Sequence, residues 1–139
     1  FLSEFQSGRG TLVGFCVMGG IFSEGIDLLG DRLIGALIVG TGIPQVGTEN
    51  EILKAFYDER GENGFDYAYR YPGMNKVLQA AGRVIRTQKD RGIILLLDER
   101  FCQRENLSLF PEEWSNYQVS KITSVEKQLK KFWAGEASE

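Results

Sequence analysis

The chain has 139 residues, 42% hydrophobic and 25% charged, with a formal net charge of −3; by length and composition it is one globular domain, able to bury about 68% of its unfolded surface. That balance supplies no global pull toward nucleic acid, so any phosphate contact must come from local placement. No histidine occurs, the two cysteines Cys16 and Cys102 lie far apart outside any CxxC, and no apolar run has the length of a membrane span, which argues against a Cys/His metal site and against a membrane protein.

Both thiols are expected to be reduced, as in a cytoplasmic protein, with Cys16 buried as a small hydrophobe. No secretory signal is present. The opening residues FLSEF, without a methionine, read as the end of a helix and the chain as a piece of a longer protein. Residues 134–139 are expected to form a disordered tail.

In chain order, Thr11–Met18, TLVGFCVM, reads as a strand covered on both faces. Gly19 and Gly20 end it, and IFSEGIDL follows. Leu33–Val39 is a second predicted strand, closed by Gly40 and Gly42. Glu49–Arg60 carries Ile52, Leu53, Phe56 and Tyr57 at helical spacing, with acidic residues at its start where they suit the helix dipole. A polar loop, Asp58–Gly64, leads into the aromatic stretch FDYAYRY, Phe65–Tyr71.

Pro72–Gly92 reads as a long central helix. Met74, Val77, Leu78, Ala81 and Ile85 form an apolar stripe, while Gln79, Gly82, Arg83 and Arg86 form a second stripe about 120° away. A glycine inside a helix costs about 1 kcal/mol relative to alanine, so Gly82 suggests a close approach there. Two arginines one turn apart repel unless an anion lies between them, and planar guanidiniums suit phosphate oxygens; the same residues also suit a solvated surface helix. Ile93–Leu97 is a third buried strand, Pro111–Trp114 a short helical turn, and Tyr117–Ile122 a fourth strand. Thr123 and Glu126 have capping-box spacing ahead of a last helix that aligns Val125, Leu129, Phe132 and Trp133. Strands alternating with helices predict an α/β fold with a mainly parallel sheet.

In such a sheet ligands bind at the carboxyl ends of the strands, which selects Gly19–Asp27, Gly40–Pro44 and Asp98–Phe101. Ser23, Glu24, Gly25 and Asp27 crowd polar groups and permissive backbone after a strand, offering amides to a phosphate and a carboxylate to a hydroxyl or arginine; a helix-capping loop fits them too. Gly42–Thr48 has P-loop glycine spacing but lacks the lysine and carries Pro44, so it is not a Walker A motif. Tyr57, Phe65, Tyr67, Tyr69 and Tyr71 suit packing better than base stacking. Lys127, Lys130 and Lys131 fit a solvated helix face.

GGIFSEGIDL, Gly19–Leu28, resembles motif V, and QAAGRVIRTQKDRG, Gln79–Gly92, resembles motif VI, of the XPD/DinG-like superfamily 2 DNA helicases. LLLDERF, Leu95–Phe101, also follows the family pattern, and the likeness spans Thr11–Trp133. The resemblance implies a RecA-like three-layer sandwich, the C-terminal helicase domain over residues 1–139, acting as second motor lobe of a longer ATPase. It implies that Arg86 is the arginine finger toward the ATP γ-phosphate with Arg83 beside it. Gln79, Gly82, Gly25 and Asp27 would line the nucleotide cleft, and Ser23 and Glu24 would couple it to DNA. ATP and Mg²⁺ would be held mainly by an N-terminal motor lobe, and an iron–sulfur cluster, common in the family, would lie elsewhere in the parent protein. Single-stranded DNA, 5′ to 3′ movement and a role in DNA repair are further implications. A RecA-like scaffold module without motor activity and an RNA helicase lobe are the rival readings.

Overall fold

A computed structural model of the chain describes residues 10–20, 32–85 and 90–135. Two compact units make up the chain, Phe1–Leu109 and Phe110–Glu139.

In the first unit, strand β1 (Gly35–Val39) leads through helix α1 (Thr48–Asp58), a π-helical turn (Asp66–Arg70) and helix α2 (Tyr71–Ala81) to strand β2 (Ile93–Leu97). β1 and β2 pair in parallel, with Gly35 opposite Ile93 and Val39 opposite Leu97. Parallel strands cannot be joined by a tight hairpin, and here the helical connection provides the crossover. This is the expected α/β class with parallel pairing, and both strands fall inside their predicted segments.

The core gathers on one side of this pair. Ile38 of β1, Ala68 and Tyr69 of the π-helical turn, Met74, Val77 and Ala81 of α2, and Phe101 beyond β2 are all buried. Met74, Val77 and Ala81 lie at i, i+3 and i+7, so the predicted apolar stripe is the face that α2 buries. Leu37 and Val39 on the opposite face of β1 are exposed, as is Leu97; the strands are covered less completely than their sequences predict.

Backbone contact fixes the start of α2. Gly42, at φ 66°, faces Gly73 so closely that a Cβ on it would stand 2.6 Å from the Gly73 carbonyl oxygen. A Cβ on Gly73 would stand 2.7 Å from the Thr41 oxygen. Both residues therefore have to be glycine for the loop after β1 to lie directly on the first turn of α2. Pro72 suits that turn, where its missing N–H is not needed.

Several expectations are corrected. Thr11–Met18 forms no strand: Leu12, Val13, Phe15 and Val17 are exposed, and Cys16 is exposed rather than buried. A strand needs a ladder partner as well as β-branched residues, and β1 and β2 pair only with each other among the described residues. The central helix stops at Ala81, well short of Gly92, with Gly82 as its C-cap. Val84 then turns inward and is buried, and a Cβ on Gly92 would stand 2.3 Å from its Cγ1. Gly82 thus closes the helix rather than interrupting it, and Ile85 lies beyond the helix, exposed.

After β2 come a 3₁₀ turn (Glu99–Cys102) and the short helix α3 (Arg104–Leu107). The buried Asn106 donates from Nδ2 to the Arg100 carbonyl at 2.8 Å, which satisfies a polar group that burial would otherwise penalise. In the second unit a 3₁₀ turn (Glu112–Trp114) follows Pro111, and helix α4 spans Ile122–Ala134. Tyr117–Lys121 is not a strand. No capping box forms: Lys121 is the N-cap, Thr123 lies inside the first turn, and Ser124 Oγ donates to the Lys121 carbonyl at 2.8 Å. The last residues, 136–139, lie outside the described residues, as does the predicted helix end at 1–7.

Candidate functional site

Two groups of residues stand at opposite ends of the β1–β2 pair. At the carboxyl ends, Asp98 grips Arg100 through both side-chain oxygens, accepting from Nε at 2.9 Å and from Nη2 at 2.7 Å. Oδ1 also accepts from the Arg100 backbone N–H at 2.9 Å, capping the 3₁₀ turn. Hydrogen bonding from the Arg100 guanidinium holds the Asp98 carboxyl below the usual carboxylate range. Gly40 ends β1 beside this pair, and its φ of 83° is the left-handed conformation that favours glycine. Next to it Thr41 is buried, and its hydroxyl has no hydrogen-bond partner among the described residues. The predicted segments Gly40–Pro44 and Asp98–Phe101 therefore meet at this end, as the strand-end rule requires.

At the amino ends, the Ile93 N–H donates to the Ile34 carbonyl at 3.0 Å, and Gly92 packs against Val84 and Ile34. Val84 ties the residues just after α2 to this end. Gln79 and Gly82 are exposed there and Arg83 is half-buried. Gln79, Gly82 and Arg83 thus sit toward the end of the strands opposite the Asp98–Arg100 pair. No strand-end rule applied to the sequence places them there.

The turn that opens the first motif-like segment approaches α2, the helix from which the second begins. Lys76 of α2 lays its side chain along Gly19, whose Cβ position would be 3.4 Å from Cε and 3.8 Å from Nζ. Gly19, at φ 79°, belongs to the turn that opens GGIFSEGIDL, closed by a Gly20 N–H to Val17 carbonyl hydrogen bond at 3.1 Å. Lys76 was not among the sequence-selected residues: one lysine on a helix's polar face gives no signal until its neighbour is known. Ser23, Glu24, Gly25, Asp27 and Arg86 lie outside the described residues.

The aromatic stretch packs on itself. Tyr57 and Tyr67 stack at 3.8 Å with an interplanar angle of 7°, and Tyr67 meets Tyr71 edge-on at 5.3 Å. Tyr69 is buried and donates its hydroxyl to Glu51 of α1, while Arg70 pairs with Asp66. These contacts favour the packing reading over base stacking. Lys127, Lys130 and Lys131 are exposed on α4, with Lys130 bonded to Glu126 at 2.7 Å. Among the described residues no group of His, Cys, Asp or Glu could hold a metal ion, and no helix is long and apolar enough to cross a membrane.

The model of the helicase C-terminal domain family matches residues 1–117. The chain belongs to that family. The helicase subunit XPD of general transcription and DNA repair factor IIH from Dictyostelium discoideum is 32% identical over 77% of this chain and 14% of its own length. The corresponding XPD/RAD3 subunit from Saccharomyces cerevisiae is 35% identical over 73% of this chain and 13% of its own. The ATP-dependent DNA helicase DinG from Photobacterium profundum is 36% identical over 61% of this chain and 12% of its own. This helicase C-terminal domain therefore spans about a seventh of the length of the curated relatives it matches. Membership bears out the XPD/DinG-like resemblance and the RecA-like α/β class.

Proposed function

We propose that this domain is the C-terminal motor lobe of an ATP-dependent DNA helicase acting in DNA repair, moving 5′ to 3′ on single-stranded DNA. Arg86 reaches across an interlobe cleft to the ATP γ-phosphate, with Arg83 beside it and Gln79 positioning the same site. Gly25 and Asp27 meet the nucleotide or the arginines, and Ser23 and Glu24 relay the state of the cleft to the strand. Gly82, exposed at the helix cap, leaves room for the facing lobe. That N-terminal lobe of the same polypeptide supplies the Walker A residues and the carboxylates for Mg²⁺. Phosphoryl transfer asks the protein mainly for positioning and charge, and an arginine finger supplies both.

The observation that best supports this reading is the contact of Lys76 with Gly19, which seats the turn opening one motif-like segment on the helix that carries the other. In the full-length protein, Arg86→Ala should lower DNA-stimulated ATP turnover by about 10³-fold or more, while circular dichroism stays unchanged. An ordinary turnover number in that variant would sink the assignment.

A further inference from the structure

We propose that Gly73 and Gly42 are positioning residues for the nucleotide site: their backbone contact sets where α2 holds Gln79 and Arg83. This deepens the reading of that site and rests on it. The Gly73 end of α2 has no slack. A Cβ on Gly73 would stand 2.7 Å from the Thr41 oxygen, 2.9 Å from the Ile43 nitrogen and 3.1 Å from the Gly42 carbonyl carbon. All of these are backbone atoms of one loop, and none can swing aside as the end of a side chain could. Seating a methyl there at ordinary van der Waals distance, 3.4 Å or more from the oxygen, requires loop and helix to part by roughly 0.7 Å.

The helix cannot absorb that by turning. Met74, Val77 and Ala81 along one face of α2 are at most 2% exposed, so rotation would carry them out of the core. Nor does the chain slacken at the helix end. The Gly82 N–H donates to the Leu78 carbonyl at 2.8 Å, the Arg83 N–H to that of Ala80 at 3.3 Å and the Val84 N–H to that of Ala81 at 3.0 Å. Arg83 therefore moves with the helix, as does Gln79, exposed on its last turn. Val84 is buried against Gly92 just beyond. α2 is a strut held by packing at both ends, about 12 Å long from Gly73 to Ala81, and a shift imposed at one end reaches the other.

Groups that stabilise a transition state act within narrow geometry, and a misplacement of about 1 Å from a distant mutation can cost about 10²-fold in rate. ATP itself is held mainly by the N-terminal lobe on this reading. The effect of moving α2 therefore belongs to kcat rather than to KM.

The test compares DNA-stimulated ATP turnover and thermal melting of the full-length wild type, Gly73→Ala and Val77→Ala. Val77 is fully buried on the same helix and outside the site, so truncating it lowers stability without driving the helix off the loop. Gly73→Ala is expected to lower kcat by about 10²-fold with KM for ATP within about twofold of wild type. Val77→Ala is expected to melt earlier and to keep kcat within about twofold. Equal loss of kcat in both variants would mean that turnover follows stability, and would overturn the proposal. So would a Gly73→Ala enzyme that melts early yet turns over normally, or one in which only KM rises. If Gly73→Ala does not fold, Gly42→Ala, which meets the same peptide from the loop side, takes its place; failure of both to fold makes the contact a requirement of folding and removes the positioning role. Lost turnover in Arg86→Ala with normal turnover in Gly73→Ala sinks this proposal alone, whereas normal turnover in both sinks the reading of the site as well.

Discussion

Tyr67 keeps its proton far into the alkaline range. The Glu62 carboxylate accepts its hydrogen bond, burial adds to the effect, and together they push the phenol from 10.0 to about 12. Because the folded value is raised, the stability this bond contributes is fully present below pH 10 and is lost as pH rises from 10 toward 12. Phenolate absorbance should therefore show Tyr67 titrating late, alongside Tyr69, which its hydrogen bond to Glu51 also raises, and Glu62→Gln should bring the Tyr67 component back toward 10; a wild-type titration complete by pH 11 would contradict the geometry. Residue chemistry of this kind was only partly legible. The aromatic stretch announced itself, but its pairing with Glu51 and Glu62 depends on the chain folding back. Lys76 was invisible for the same reason: its meaning comes from Gly19, far away in sequence.

Among the elements, β1, α1, β2 and the turn after Pro111 were readable because local pattern and final conformation agree. The agreement is one of local pattern: Ile38 is buried, whereas Ile52, Leu53 and Phe56 on the stripe of α1 stay exposed. Thr11–Met18 and Tyr117–Ile122 were misread because strand propensity describes a side chain's fit to a sheet and cannot supply the neighbouring strand. The end of α2 was misread because continuing periodicity to Ile85 looked like helix, whereas burying Val84 against Gly92 requires the chain to turn at Gly82. The Gly42–Gly73 contact was hidden altogether, since neither glycine sits in a recognisable turn motif. Gly73→Ala should destabilise the first unit by about 1–3 kcal/mol, because the added methyl meets backbone that cannot rotate away. Thermal or urea unfolding measures this, and a variant as stable as the wild type would show that the loop can yield.

At the scale of the whole molecule, every buried residue among those described lies between Ile38 and Asn106, inside the first unit. The second unit contributes α4, which buries none of its residues. A chain ending at Leu109 should therefore keep a cooperative unfolding transition within a few degrees of the intact chain, as followed by circular dichroism. Loss of cooperativity would mean that the core depends on residues beyond it. The motif-like candidates were legible as a pair of segments before any geometry was known; the seating of Gln79, Gly82 and Arg83 toward the amino ends of the strands was not, because it follows from where α2 terminates.

The Gly42–Gly73 junction has a mechanical consequence. Peptide plane meets peptide plane with no side chain between them to flex, so a displacement of the loop after β1 is not absorbed locally. α2 then behaves as a pushrod, delivering that movement lengthwise over about 12 Å to its far tip beside Arg83.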